Sequence, residues 1–94
     1  MNWIDSTTHS KFDKERKPRI ISLNLTKRYT LVVHRHITDE STWFMTIHNT
    51  RIDMVDLYTD DLHEAKSKAI AHAIEFLYEQ KEELEAAIHQ LEDL

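Results

Sequence analysis

Seven histidines are the side chains of this sequence best suited to bind a metal or to transfer a proton. Three of them, His34, His36 and His48, lie at positions that place them together on one face of a predicted sheet. Zinc needs three or four ligands that converge to about 2 Å, and neighbouring positions on a flat sheet face do not converge readily. The histidines of the C-terminal segment share no i, i+4 spacing. We therefore expect no metal site and no cofactor.

Catalytic chemistry is not indicated either. The sequence has no cysteine and no glycine, which excludes thiol nucleophiles and the glycine-rich loops of Walker and Rossmann sites. The acidic pairs Asp60-Asp61 and Glu82-Glu83 are explained by a helix N-terminus and by a solvated helix face. No serine or threonine is marked as a nucleophile by an accompanying base. We expect a protein that is not an enzyme and has no catalytic residues.

Chain length and composition favour one small domain in the cytoplasm. Ninety-four residues can bury one core but hardly two. Small secreted domains usually carry disulfides, and none can form here. The N-terminus lacks the basic start and apolar run of a signal peptide, and no apolar stretch is long enough to span a membrane.

Charge divides the chain into a basic and an acidic part. Residues 1–36 contain eight lysines or arginines and three acidic residues. Residues 37–94 contain four lysines or arginines and fourteen acidic residues. Basic residues of the first part, with Trp3, Phe12 and Tyr29 for stacking, could bind nucleic acid. The acidic part would repel phosphates. Nucleic-acid binding is therefore the second hypothesis for function, in the form of a dimeric regulator.

Alternating apolar residues predict a sheet over residues 19–58. Turns are predicted at 26–28, near 38–41 and at 49–50. If the second loop holds three or five residues, all three turns leave the apolar residues of the strands on the same face of the sheet. The result is a four-stranded antiparallel meander with one apolar face. The residues predicted for this inner face are Leu23, Leu31, Val33, Trp43, Met45, Ile47, Ile52 and Met54.

A single long helix is predicted from about residue 60 to residue 94. Asp61 and Glu64 have the spacing of a capping box, and nothing after them breaks the helix. Small and apolar residues at helical spacing would cover the inner face of the sheet. The fold class is therefore α+β, with an N-terminal arm at 1–17 and one domain at 18–94.

The second half of this helix must either overhang the sheet or bend back, because about 33 residues extend roughly 50 Å. Its apolar residues follow a heptad with isoleucine at a and leucine at d. This pattern predicts burial against a second chain. Homodimerisation is the first option, and a frayed tail is the alternative. The predicted dimer seam consists of Ile74, Leu77, Leu84, Ile88 and Leu91.

Two surfaces are candidates for binding another protein. The first is the acidic helix, with Glu75, Glu79, Glu82, Glu83 and Glu85. The second is the outer sheet face, with Val32, His34, Phe44, Thr46, His48 and Val55. Carboxylates on a helix could occupy a basic nucleic-acid channel of a partner, whereas apolar residues on the sheet could form an ordinary interface.

The segment WFMTI at 43–47, followed by LHEAK at 62–66, resembles small bacteriophage and prophage proteins that place a hairpin before a Leu-x-Glu-Ala-Lys helix. The resemblance covers residues 19–78. Strands followed by a helix, small size and acidic balance are also similar to some anti-CRISPR inhibitors. The resemblance implies a non-catalytic inhibitor of a host nucleic-acid-handling or defence complex, active in the host cytoplasm. It assigns no site residue.

Overall fold

The computed structural model describes residues 2–7, 19–36 and 41–94, which form an antiparallel sheet followed by one long helix. The sheet has five strands in the order β1-β2-β3-β4-β5. The elements are β1 (Ile4–Asp5), β2 (Ile20–Asn24), β3 (Thr30–His34), β4 (Phe44–Ile47), β5 (Val55–Asp56) and α1 (Leu62–Glu92). The predicted α+β class is confirmed.

The three central strands have the predicted register. Leu23 pairs with Leu31, and the backbone N–H of Leu25 donates to the carbonyl oxygen of Tyr29 at 3.0 Å, which closes the hairpin around residues 26–28. On the other side of β3, Val33 pairs with Met45. Because side chains alternate between the two faces of a sheet, this register puts the apolar side chains of the three strands together on the inner face. Its buried members are Ile21, Leu23, Leu31, Val33, Trp43, Met45 and Ile47.

The predicted number of four strands is wrong, because the N-terminal segment adds a strand at the edge of the sheet. Ile4 pairs with Ser22 and Asp5 with Ile21. Two residues are too few to show an alternating pattern, so β1 has no periodic signal in the sequence. Trp3, just before this strand, packs against the core. The rest of the predicted arm, residues 8–17, and most of the loop at 38–41 lie outside the described residues.

The last strand departs from the predicted register at Met54. A two-residue turn at 49–50 predicts that Ile47 pairs with Ile52 and Met45 with Met54. Ile47 does meet Ile52, and its N–H donates to the Ile52 carbonyl at 2.8 Å. Met45, however, pairs with Val55 instead of Met54. One residue has been added to this strand, which is the definition of a bulge. Met54 takes the left-handed conformation (φ 54°) and is 39% exposed, so its predicted place on the inner face is wrong.

The helix begins where the sequence predicts, through a hydrogen-bond network of three residues. The Asp61 carboxylate accepts from the N–H of Glu64 at 2.9 Å, and the N–H of Asp61 donates to the Thr59 hydroxyl at 3.1 Å. That hydroxyl donates in turn to the Glu64 carboxylate at 3.0 Å. Donors that the first helical turn leaves unpaired are thereby satisfied.

Small residues bring the helix close to the sheet. Ala65, Ala69 and Ala73 are buried, with Phe76 completing the stripe. Alanine has no side chain beyond Cβ, so the helix axis can approach the apolar face of β3 and β4 closely. The first half of α1 thus covers the core, as the periodicity predicted.

Contacts of the Arg35 side chain connect the start of the helix to the sheet. Its guanidinium lies 4.1 Å from the centre of the Trp43 ring and 2.7 Å from the Asp60 carboxylate. The indole N–H of Trp43 donates to the Asp60 carbonyl oxygen at 3.0 Å. A cation stacked on an aromatic face and paired with an acid is held firmly. The helix therefore leaves the sheet in a defined direction.

The second half of the helix extends past the sheet. Thirty-one helical residues span about 46 Å, which is more than twice the width of five strands at their usual spacing. Helical structure is unbroken as far as Glu92, and all residues from Lys81 to Leu94 are exposed. Of the two predicted outcomes, the structure has the overhang and not the folded-back helix.

Candidate functional site

The overhanging half of α1 exposes the stripe of apolar residues that was predicted as a dimer seam. Leu84 is 65% exposed, Ile88 52% and Leu91 68%. Ile74, next to the buried Ala73, is also exposed, whereas Leu77 is partly buried against the core. The seam of Ile74, Leu77, Leu84, Ile88 and Leu91 therefore begins beside the sheet and continues along the free part of the helix. An apolar stripe of this length is typical of an interaction surface.

A shallow groove lies at the sheet end of this seam. It is lined by Ile74, Leu77, Tyr78 and Lys81. The Lys81 ammonium lies 6.0 Å from the centre of the Tyr78 ring, so the lysine leans along the helix surface over the aromatic side chain. Such a lysine covers apolar surface with its aliphatic stem while its charged end stays in water. The groove can accept an apolar side chain from another helix.

The acidic residues of α1 differ in what they contact. Glu79 is bound by Arg51 at 2.7 Å, and Glu85 lies 3.9 Å from the Lys81 ammonium. Glu82 and Glu83 are exposed and have no cationic partner among the described residues. Exposed ion pairs are weak, so the Lys81 contact only partly neutralises Glu85. Of the predicted acidic residues on the overhanging half of the helix, Glu82 and Glu83 are therefore the two without a cationic contact.

Glu75 and Glu79 belong to a second arrangement, around Arg51. The Arg51 guanidinium lies over the Phe76 ring at 5.4 Å and reaches Glu79. Together with His72 and Glu75, these side chains form the rim of a small cavity between the helix and the end of the sheet. Strict alternation from Ile52 would have put Arg51 on the outer face. Because Arg51 lies in the turn before β5, alternation does not govern it.

The outer sheet face contains a compact aromatic cluster. The imidazole of His34 stacks on the Phe44 ring with 6.3 Å between centres, and the His36 ring meets Phe44 edge-on at 6.2 Å. Val32 lies on the same face by its register with Thr46, yet it is only 7% exposed. His34, Phe44 and Thr46 are half-buried, and this face is therefore less open to a partner than the alternating pattern predicted.

Two of the predicted outer-face residues, His48 and Val55, lie outside the aromatic cluster. His48 is exposed in the turn after β4, as expected for a surface histidine. Val55 was placed on the outer face, and this placement is wrong. The bulge at Met54 reverses the parity of the following residues, so Val55 packs against the core and Leu57 is buried in it. The outer face thus loses an apolar residue that the prediction gave it.

A hydrogen-bond network connects His34 to the bulge. The Nδ1–H of His34 donates to the carbonyl oxygen of Arg35 at 3.3 Å, and Nε2 lies 2.9 Å from the Thr46 hydroxyl. This hydroxyl also accepts from the N–H of Met54 at 3.1 Å and lies 3.3 Å from the Asp53 carboxylate. A carbonyl can only accept, so Nδ1 holds the proton in neutral His34, and the single Thr46 hydroxyl proton is shared between Nε2 and the Asp53 carboxylate.

Burial lowers the pKa of His34 below its ordinary value, with His36 and His48 adding to this effect. The Arg35 carbonyl and the Asp53 carboxylate act in the opposite direction without cancelling it. The neutral imidazole is therefore the favoured form at neutral pH. It functions as a hydrogen-bond acceptor that holds the Thr46 hydroxyl in place.

Within residues 2–7, 19–36 and 41–94, no three histidine or acidic side chains are grouped closely enough to hold a metal ion. The same part of the chain contains no helix with the length and apolar character that a membrane crossing needs.

Neither the models of protein families, nor the curated proteins, nor the solved structures gave a match to this chain.

Proposed function

We propose that this chain is a non-catalytic protein-binding module that dimerises through the exposed seam of α1. Its acidic helix surface occupies the basic nucleic-acid-binding region of a host protein or protein–nucleic-acid complex. The observation that carries the proposal is that the overhanging half of α1 presents an apolar stripe and available carboxylates together, with every residue from Lys81 onward exposed.

The likeness to small phage proteins supports an inhibitor of a host nucleic-acid-handling or defence complex, anti-CRISPR-like in its mode of action and located in the host cytoplasm. An acidic helix can compete for a positively charged channel, because both the helix and a nucleic-acid backbone present negative charge along an extended surface. Long-range attraction of this kind mainly accelerates association. Inhibition by occupation of a channel needs no catalytic residue.

The test begins with capture of the target from a lysate of the native host, followed by titration of the purified pair. Reversal of Glu82 and Glu83 to lysine should weaken binding at least about tenfold at low salt, with a smaller effect at high salt. The matched control reverses Glu92 and Asp93, which changes the net charge equally at the end of the helix. Glu79 is left unchanged because it binds Arg51.

The outer sheet face is the competing surface on the same protein. If it binds the target, Phe44→Asp should abolish binding, whereas the reversal of Glu82 and Glu83 should have almost no effect. Circular dichroism must first show that both variants fold. If neither change weakens binding by more than about threefold, roughly 0.7 kcal/mol, both surfaces are excluded.

The alternative function, a dimeric nucleic-acid-binding regulator, depends on the basic N-terminal part. Arg19, Lys27 and Arg28 of this part are exposed, and the latter two lie at the tip of the β2–β3 hairpin. A mobility-shift titration at several salt concentrations separates the two functions. Tight binding with a steep loss of affinity as salt rises would favour the regulator and contradict the inhibitor, whereas no binding at low salt would exclude the regulator.

A further inference from the structure

The lysine in the middle of the seam determines how two copies of the helix can pair. The heptad positions are a for Ile74, Lys81 and Ile88, and d for Leu77, Leu84 and Leu91. Lys81 is thus the single charged residue among these six side chains, and the other five are the seam residues. Its ammonium lies on the helix surface, 6.0 Å from the centre of the Tyr78 ring and 3.9 Å from the Glu85 carboxylate.

A parallel pair in register would bring the two copies of Lys81 together. In that arrangement each a residue meets the same residue of the other helix, so two ammonium groups would share one apolar layer. The two acidic C-terminal halves would also lie side by side, with Glu85 and Glu92 of each copy at the e positions that flank the seam. Both juxtapositions are repulsive, and the parallel helix dipoles add to the repulsion.

An antiparallel pair removes these conflicts. Each a residue then meets a d residue of the second copy, and Lys81 can lie opposite Leu84 of the second copy. In the same register Ile74 meets Leu91, and Leu77 meets Ile88, so all six layers contain apolar surface. The Lys81 stem packs against leucine while its ammonium stays at the edge of the seam beside carboxylates. The acidic ends of the two helices point away from each other.

The position of the sheet on α1 is compatible with this pairing. The sheet covers the side of the helix that contains Ala69, Ala73 and Phe76, whereas Ile74 is 51% and Tyr78 62% exposed. The groove lined by Ile74, Leu77, Tyr78 and Lys81 would receive Ile88 and Leu91 of the second copy. The two sheets would then lie at opposite ends of the helix pair, where they cannot collide.

We propose that the seam binds a second copy of this chain in antiparallel orientation, with Lys81 opposite Leu84 of the second copy. This inference rests on the dimer in the proposed function, and it adds the orientation and the register. It gives the assembly a two-fold axis between residues 82 and 83, so that the carboxylates of Glu82 and Glu83 from both copies are centred on the dimer.

Disulfide cross-linking tests the orientation directly, since the chain contains no cysteine of its own. Two single variants of the full chain are made, Ile74→Cys and Leu91→Cys, and one of them carries a tag so that products differ in size. Each is oxidised alone and in an equal mixture. Antiparallel pairing predicts roughly tenfold more cross-linked product in the mixture than in either variant alone, because disulfides form only between closely placed residues.

The pair Leu77→Cys and Ile88→Cys is a second measurement of the same register, in case one substitution disturbs folding. Ala86→Cys, on the opposite side of the helix, is the matched control and should remain uncross-linked. Efficient cross-linking of Ile74→Cys alone or Leu91→Cys alone would show a parallel pair and overturn the proposal. Equal cross-linking of the Ala86 control would overturn it as well, because the product would reflect random collision.

Sedimentation of the unmodified protein separates failure of the orientation from failure of the dimer. A protein that sediments as a dimer but gives no cross-link in either mixture contradicts the antiparallel register and leaves the dimer intact. A protein that remains monomeric at about 100 μM contradicts the dimer itself, and with it both proposals.

Discussion

At the scale of single residues, the sequence predicts the positions of the histidines better than their environment. Alternation placed His34 and Thr46 on the outer face, and their strands have the expected pairing. It could not show that Thr46 accepts a hydrogen bond from Met54, because this contact depends on the bulge. It also missed that the His34 ring is stacked on Phe44 and half-buried. These features result from packing between strands, which one strand's pattern does not contain.

The pKa of His34 gives a prediction about stability and pH. Burial lowers this pKa below its ordinary value of 6.5, so the folded protein binds the proton less readily than the unfolded chain does. The stabilising contribution of neutral His34 is therefore complete above about pH 6.5 and is lost as the pH falls through the lower pKa of the folded state. Urea unfolding at about pH 7.5 and about pH 5 should show a smaller pH dependence for His34→Gln than for the wild type.

The matched control is His63→Gln, which removes an exposed histidine from the helix. This variant should keep the pH dependence of the wild type. If His34→Gln and His63→Gln change the free energy of unfolding equally at both pH values, the neutral imidazole of His34 does not contribute to stability in the way the network indicates.

At the scale of the elements, the consistent placement of apolar residues predicted the register of three strands and failed within the last strand, at Met54. Register can be inferred where both strands alternate without interruption, as β2, β3 and β4 do. A bulge adds one residue to a strand without a distinctive amino-acid composition, and the residue type of Met54 does not indicate a bulge. The chain has no glycine, so the left-handed positions within residues 2–7, 19–36 and 41–94 are occupied by Asn49, Met54 and Tyr58. Asparagine is a recognised signal for such a position, whereas methionine and tyrosine are not.

Substitution of Met54 tests whether the bulge is a fixed part of the fold. Valine is strongly disfavoured in the left-handed region, whereas asparagine is tolerated there, and Met54 is too exposed for lost burial to dominate. Met54→Val should therefore be less stable than Met54→Asn by about 1–2 kcal/mol in urea unfolding. Equal or greater stability of the valine variant would mean that β5 can adopt a regular register, with Met54 on the inner face.

At the scale of the whole molecule, simple lengths predicted that the helix is longer than the sheet it covers. The molecule extends 62 Å in one direction and 24 Å in the next, in agreement with that comparison. The function of the overhanging half of α1 could be inferred from the sequence only in outline. The heptad identifies which residues form a stripe, but a partner has to be inferred from their exposure. Isolated helical segments of this length are marginal in water, so a contact along the seam would also stabilise the helix.

Ile88 belongs to the seam and is exposed in the single chain, so its substitution should weaken dimerisation. Ile88→Glu places a carboxylate in a seam layer that contains no lysine, and each dimer loses two buried isoleucines. Burial of such a side chain contributes about 1.5–3 kcal/mol, so dimerisation should weaken by at least roughly a hundredfold. Ala86→Glu introduces the same charge on the opposite side of the same turn, and its dimerisation should differ little from that of the wild type. Sedimentation over a range of concentrations measures both constants. Equal weakening by the two substitutions would show that added negative charge, and not loss of the apolar contact, controls association, and the seam would then not be the interface.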